Sequence, residues 1–301
     1  MKPTLLILAA GMGSRYGKLK QIDPVGPGGE VIMDYSIFDA IRSGFGKIVF
    51  IIRKDFSEEF KNIFSPKLSG KIAVEYVYQE LEDVPDGIRF SGERQKPWGT
   101  GHAMLSARNV INEPFAVINA DDFYGPSAYK SMADFLTVNV NDPDLYAMIG
   151  YRLDTTLSEY GSVARGVCQT DREGFLQNVV ERTSIERDSS GDIYFDDRGK
   201  KVILTGSEIV SMNYWGFTTS VFGYMEKEFV DFIKKNASDP KAEFYIPTVA
   251  NKLINEGKVQ LKVLESVDKW FGVTYSEDKP LAVKNINRLI EQGVYPAKLW
   301  T

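Results

Sequence analysis

Two short stretches hold most of the residues whose types and spacing could do chemistry. The first reads Ala10-Gly11-Met12-Gly13-Ser14-Arg15-Tyr16-Gly17-Lys18-Leu19-Lys20-Gln21. Small residues and glycines let backbone N–H groups come close to phosphate oxygens. Arg15 adds a forked donor suited to phosphate, and Lys20 a mobile point charge. A Walker A loop would need Ser or Thr after its lysine, and here Lys18 is followed by Leu19. A dinucleotide fingerprint is also excluded, because its third glycine, Gly17, comes one residue late. Phosphate binding is the favoured reading, against a tight turn carrying solvated cations. The second stretch is Asp121-Asp122, delivered at the end of the apolar run Phe115–Asn119 and Ala120. Two carboxylates at a strand end make a hard oxygen site for Mg²⁺, completed by phosphates and water. The competing role is capping of a helix that opens after Gly125-Pro126.

A third stretch suits a flat base. Gln79 ends an expected strand, and Trp98-Gly99-Thr100-Gly101-His102-Ala103-Met104 opens a helix. The glycines let main-chain groups lie against a ring, and Gln79 can pair with an amide edge. His102 is the only histidine, and at a helix start its ordinary role is packing or capping rather than catalysis.

The elements that must position these groups alternate. Strands are expected at Leu5–Ala10, Lys47–Ile52, Val74–Gln79, Phe115–Asn119 and Leu145–Tyr151. Helices are expected near Met33–Ser43, Ser57–Phe64, Gly101–Val110 and Ser127–Val138. Continuous apolar strands alternating with helices predict an α/β fold, a Rossmann-like, mostly parallel mixed sheet with helices on both faces. Ligands of such sheets bind beyond the carboxyl ends of the strands. The second half is more β-rich: strands at Tyr160–Val167 and Gly174–Glu181, a turn-rich hairpin at Asp188–Lys200, and a run at Ile209–Phe217. Helices follow, one on Ile246, Val249, Ala250, Leu253 and Ile254, and a last one on Ala282, Ile286, Leu289 and Ile290. The polar segment Leu81–Pro97 is a long loop, of the kind that is functional or disordered.

Composition narrows the function. With 36 Lys and Arg against 41 Asp and Glu, the net charge of −5 lacks the basic footprint of a nucleic-acid binder. One cysteine, Cys168, excludes an internal disulfide and a Cys-rich zinc site. One histidine excludes His-pair metal motifs, and no G-x-S-x-G elbow is present. Met1-Lys2 and Leu5–Ala10 have the outline of a short signal peptide, but a buried first strand explains them better. No run reaches transmembrane length. With a single cysteine, the expected location is the cytoplasm.

The stretch Leu8–Arg15, followed by Lys20-Gln21-Ile22-Asp23-Pro24-Val25, resembles the L-A-G-G-x-G-T/S-R signature of sugar-phosphate nucleotidyltransferases and the lysine that precedes their P-V step. The resemblance implies Mg²⁺-dependent transfer from a nucleoside triphosphate to a sugar-1-phosphate, giving an NDP-sugar and pyrophosphate. It implies Arg15 on the β and γ phosphates, Lys20 on the α phosphate, and Ala10, Gly11, Gly13 and Ser14 around the nucleotide. Trp98–Met104 resembles the L-G-T-G-H-A-M segment of the uridylyltransferases, which implies that Gln79, Gly99 and Thr100 read a pyrimidine; Lys20-Gln21 looks like the thymidylyltransferase branch, so UTP and dTTP both stand. Asp121 falls on the metal ligand of an L-x-G-D-N/D block. Tyr160-Gly161-Ser162-Val163, Glu181-Arg182 and Asn213-Tyr214-Trp215-Gly216 resemble sugar-side segments, with Gly161 and Asn213 beside the sugar, Glu181 on its hydroxyls and Arg182 on its phosphate. The family's second metal carboxylate falls on Gly272, with Thr274 or Asp268 as substitutes. By this reading the chain is a single nucleotidyltransferase domain, with 1–145 for the nucleotide, 146–280 for the sugar and 281–301 as a closing helix. A homo-oligomer is compatible with relatives that form dimers or tetramers. Two alternatives remain open at this level. One is a non-catalytic relative that keeps the pocket; the other is a glycosyltransferase using Asp121-Asp122 on a nucleotide sugar.

Overall fold

The computed structural model describes residues 1–11, 23–85, 87–88, 90, 94–159, 161–273 and 276–300. Gly13, Ser14, Arg15, Lys20, Tyr160 and Thr274 lie outside the described residues. The first half runs β1 (Thr4–Leu8), α1 (Ile32–Ser43), β2 (Lys47–Ile52), α2 (Ser57–Leu68), β3 (Ala73–Tyr78), α3 (Thr100–Ser106), β4 (Phe115–Asn119), β5 (Asp122–Phe123), α4 (Pro126–Val138) and β6 (Leu145–Arg152). The second runs β7 (Val163–Thr170), β8 (Leu176–Arg187), β9 (Ile193–Asp197), β10 (Lys200–Leu204), β11 (Ile209–Phe217), α5 (Ser220–Asn236), α6 (Ile246–Asn255), β12 (Gln260–Glu265), β13 (Phe271–Gly272) and α7 (Lys279–Glu291).

Among the described residues, eleven strands join one mixed sheet, and β5 pairs with β13 in a separate two-residue ribbon. β3, β2, β1 and β4 are parallel neighbours, as the alternation of strands and helices predicts. β11 is the branch point: it runs antiparallel to β4, to β6 and to β7. Beyond β7 the sheet continues antiparallel through β8, β9 and β10; the hairpin expected over Asp188–Lys200 is formed by β9 and β10 and runs on to Leu204.

The strands are apolar on both faces because each face carries its own core. Leu5, Ile7, Ile48, Phe50, Ala116 and Ile118 point to one side, under Met33 and Ile37 of α1, Phe60 and Phe64 of α2, and Met132 of α4. Leu6, Val49, Ile51, Phe115 and Val117 point to the other, under Met104 of α3, Phe229 of α5 and Leu253 of α6. Alternate residues of one strand thus enter opposite cores, and no polar face is needed. A third, smaller cluster packs Ile32 and Tyr35 of α1 against Phe123, Phe271, Ala282 and Ile286 of α7, Tyr295 and Leu299. None of the helices among the described residues is long and apolar enough to cross a membrane.

Candidate active site at the carboxyl edge of the sheet

The register of the parallel strands decides what meets at their carboxyl ends. Leu8 lies opposite both Ile51 and Asn119, and Ile52 lies opposite Tyr78. The residues that follow, Ala9 to Gly11, Gln79, and Ala120-Asp121, therefore leave the sheet from one edge. Side-on main-chain bonds hold the exits: Ala9 N to Ile51 O at 2.8 Å, Gln79 N to Ile52 O at 3.1 Å and Ala120 N to Leu8 O at 3.3 Å. This is where an open parallel sheet binds ligands.

On one side of this edge, Asp23, Val25, Ile32, Ala120, Asp121, Val273 and Lys279 line a small cleft open to solvent. Lys279, at the start of α7, pairs with Asp23 at 2.8 Å and places a cation in the same cleft as Asp121. Lys279 was not singled out from the sequence, since a lone lysine more than 250 positions from the glycine loop carries no local pattern.

Asp122 has a different environment from Asp121. It is only 9 % exposed, and its Oδ2 accepts from Asn119 Nδ2 at 3.0 Å and from Tyr124 Oη at 3.2 Å. The single Tyr124 hydroxyl proton is also within reach of the Met212 carbonyl, at 2.9 Å. Burial, followed by the neighbouring Asp121 charge, pushes the Asp122 carboxyl above the usual range. The β5–β13 ribbon sets Asp122 directly opposite Gly272, and a Cβ at Gly272 would stand 2.6 Å from Asp122 Oδ1. The Asp122 carboxylate thus lies against the position where resemblance expects an aspartate. Asp268 is turned elsewhere: its Oδ2 accepts from Ser127 N at 2.6 Å and caps α4.

Magnesium commonly uses one or two carboxylates together with substrate phosphates and water, so it needs no all-protein cage. Among the described residues no group of three His, Cys, Asp or Glu side chains forms such a cage. Asp121, on the cleft, is an oxygen donor of the kind Mg²⁺ takes together with phosphate ligands and water, whereas Asp122 is buried and does not line the cleft.

The segment after Trp98 is built by close backbone approach. Gly99 has φ of 99°, and a Cβ there would fall 2.6 Å from Phe244 O and 2.8 Å from Phe244 N. Phe244 N donates to Trp98 O at 2.6 Å, and Gly101 N donates to Phe244 O at 2.8 Å. Gln79 is buried beside this segment and donates to Gly99 O at 3.1 Å, so the structure brings Gln79 and Gly99 together. Thr100 Oγ1 accepts from Ile246 N at 3.3 Å, at the start of α6. The long loop before Trp98 is anchored: Arg94 stacks 3.6 Å over the Trp98 ring and donates to the carbonyls of Pro97, Asp239 and Ala242.

On the sugar side, Asn213 has φ of 61° beside the irregularity between Ser211 and Trp215, a backbone that asparagine tolerates better than most residues. Its Nδ2 donates to Asn119 Oδ1 at 2.7 Å and its Oδ1 accepts from Trp215 Nε1 at 3.0 Å. Asn213, Asn119, Asp122 and Tyr124 are therefore one hydrogen-bonded cluster. Ser211, Gly166 and Glu181 form one row across β11, β7 and β8. Burial raises the Glu181 carboxyl, and the charge of Arg165 opposes that rise. Arg182 instead stacks on Phe195, 4.7 Å from the ring centroid. Gly161 precedes β7 on the exposed surface. Arg165, for which the sequence carries no local signal, is a half-buried cation on this side. It stacks 4.9 Å over Trp270 and donates to Ala164 O and both oxygens of Thr156. Burial lowers its guanidinium to about 10, against the attraction of Asp122 and Glu181.

A family model described as Nucleotidyl transferase matches residues 4–274. No curated protein matches the chain. Among solved structures, a UDP-glucose pyrophosphorylase complexed with UDP-glucose is similar at 17 % identity and a TM-score of 0.60, covering 96 % of this chain and 99 % of that one. The apo form of a UDP-glucose pyrophosphorylase gives 16 % identity and a TM-score of 0.62, with 96 % and 99 % coverage. A Bacillus anthracis protein assigned as a glucose-1-phosphate thymidylyltransferase, in complex with a sucrose, gives 14 % and 0.61, with 94 % of each chain covered. At such identities the solved structures establish the shared fold, and the family model spans every strand from β1 to β13: the chain belongs to the nucleotidyl transferase family.

Proposed function

We propose that the chain transfers a nucleotidyl group from UTP or dTTP to a sugar-1-phosphate, forming an NDP-sugar and pyrophosphate. The observation that carries this reading is the carboxyl edge of the parallel strands. There Gly11, Gln79 and Asp121 leave β1, β3 and β4 from the same edge of the sheet, within the span of the family match. The similar structure of a UDP-glucose pyrophosphorylase with UDP-glucose supports a sugar nucleotide as the product class.

In this reaction a phosphate oxygen of the sugar-1-phosphate attacks the α-phosphorus. A new P–O bond forms, the bond to the α,β-bridging oxygen breaks, and pyrophosphate leaves with the electron pair. The attacking monoester, with a second pKa of about 6, is already anionic near neutral pH, so no general base is required. What the protein must supply is in-line alignment and charge neutralisation. Arg15 and Lys20 are assigned to the triphosphate, with main-chain groups of Ala10, Gly11, Gly13 and Ser14 around it. Lys279 adds a further cation beside Asp121. Gln79, Gly99 and Thr100 are assigned to the base edge; Glu181, Gly161 and Asn213 to the sugar; and Arg182 to its phosphate. Mg²⁺ held by Asp121 would supply charge neutralisation on the triphosphate. The division of labour follows the chain: 1–145 for the nucleotide, 146–280 for the sugar and 281–301 as a closing helix. The single cysteine supports a cytoplasmic location.

The test is a matrix of four nucleoside triphosphates against several hexose-1-phosphates with Mg²⁺, read by pyrophosphate release. Release with UTP or dTTP and at least one sugar phosphate is expected. Tight UTP binding without pyrophosphate across the whole matrix would refute the transfer reaction.

A further inference from the structure

Gln79 carries two amide hydrogens and one carbonyl oxygen, and its neighbours dictate which end is which. Its Nε2 lies 3.1 Å from Gly99 O and 3.2 Å from His102 Nδ1. A carbonyl only accepts, so the atom facing Gly99 must be the amide nitrogen. Its second hydrogen then points at His102 Nδ1, which has to accept. His102 Nε2 lies 2.8 Å from Asp83 O, another obligate acceptor, so the ring proton sits on Nε2 and a lone pair remains on Nδ1. His102 is 1 % exposed and stacked on Phe229, with 4.9 Å between ring centroids. Burial pushes the imidazole below its ordinary pKa and keeps it neutral. The bonds joining Asp83, His102, Gln79 and Gly99 thus have one fixed polarity. The polar atom of Gln79 that they do not use is Oε1, an acceptor.

We infer that His102 is a positioning residue for base selection: by accepting from Gln79 it fixes the amide with Oε1 presented to the base, favouring a pyrimidine with an N3–H donor over cytosine. The inference rests on the nucleotidyl-transfer reading above. Uracil and thymine share N3–H, whereas cytosine has a lone pair there. To serve cytosine N3 the Gln79 amide must turn by half a rotation. That turn sets Oε1 against two acceptors, Gly99 O and His102 Nδ1, at a buried position. Sites built around one hydrogen-bond polarity reject analogues of the other by on the order of 10²-fold or more.

Two substitutions separate this role from simple packing. His102→Asn keeps an oxygen acceptor near the place of Nδ1 and gives up the reach to Asp83. His102→Gln keeps a donor toward Asp83 and gives up the acceptor beside Gln79. The preference for UTP over CTP is measured both as kcat/KM and as binding by calorimetry. H102N should keep the wild-type preference within about threefold, and H102Q should lose at least about tenfold of it through KM for UTP. Loss in H102N with retention in H102Q would assign His102 to anchoring the loop and overturn the inference, as would equal binding of UTP and CTP by the wild type. A second readout needs no variant: with one histidine in the chain, ¹⁵N-labelled histidine gives a single ring to observe. A neutral ring protonated on Nε2 at pH 7 is expected, and a proton on Nδ1 contradicts the inference. Wild-type preference for UTP in calorimetry without pyrophosphate release would refute the transfer reading while leaving the base-selection inference intact.

Discussion

Gly272 and Asp122 show how one residue's size decides what its neighbour can do. Opposite each other on the β5–β13 ribbon, they share a space in which a Cβ at Gly272 would also come within 3.0 Å of the Trp270 ring. Replacing Gly272 by alanine is an overpacking change at a half-buried site, expected to cost about 1–3 kcal/mol of stability by urea denaturation. In an Asp122→Ala background the same change should cost less by about 1 kcal/mol, because the crowded carboxylate is gone. Equal costs in both backgrounds would show that Asp122 is not what fills the space. At this scale the candidate site was partly legible. Asp121 and Gln79 follow strands whose pattern shows in the sequence, and a strand's end locates them. Lys279 and Arg165 were not legible, because each becomes relevant only through contacts made by distant parts of the chain.

The same contrast separates the elements. Lys47–Ile52, Phe115–Asn119 and Ile209–Phe217 have the bounds that their apolar runs predict, because both faces of those strands are covered. The helix expected over Gly101–Val110 stops at Ser106, where the chain enters a series of turns. The strand expected from Tyr160 starts at Val163, and the one expected from Gly174 starts at Leu176 and runs on to Arg187. Besides the two-residue strands β5 and β13, α5 and β12 went unread. α5 carries its buried Val221, Phe222, Met225, Phe229 and Ile233 at helical spacing, but Gly223 and a cluster of charges interrupt the local pattern. β12 is short and alternates Leu261 and Val263 with Lys262, and its reason to be a strand is the parallel partner β6, far away in sequence. The turn at Gly99 carries the clearest element-level prediction. Gly99→Ala combines a positive φ with a Cβ 2.6 Å from a main-chain oxygen. It should weaken UTP binding and lower stability by roughly 2–4 kcal/mol, read by calorimetry and thermal melting. Wild-type values would mean that the segment moves aside without consequence.

Across the whole molecule, the C-terminal part braces the ribbon next to the site. Phe123 stacks on Phe271 at 4.4 Å, and Tyr295 packs edge-on against Phe123 and Tyr35. Trp300 Nε1 donates to Asp34 at 2.8 Å, and Tyr295 donates to buried Asp39 at 2.7 Å. Arg42 lies 2.6 Å from Asp39 Oδ1, yet burial outweighs it and raises the Asp39 carboxyl to about 7. A carboxyl whose folded pKa lies above its unfolded value makes the native state bind more protons, so its contribution to stability falls as pH rises from about 4 to about 7. Asp39→Asn should therefore flatten the decline in unfolding free energy between about pH 4 and about pH 7 in urea titrations; an unchanged slope would remove Asp39 from the account. The central claim is that the loop after β1 grips a triphosphate while Asp121 holds the metal facing it. A crystal structure of the full chain with Mn²⁺ and a non-hydrolysable UTP analogue tests it most directly. The account predicts an anomalous peak bonded to Asp121 and to phosphate oxygens, with the triphosphate against residues 11–20. A metal bound away from Asp121, or phosphates that never touch that loop, would contradict it.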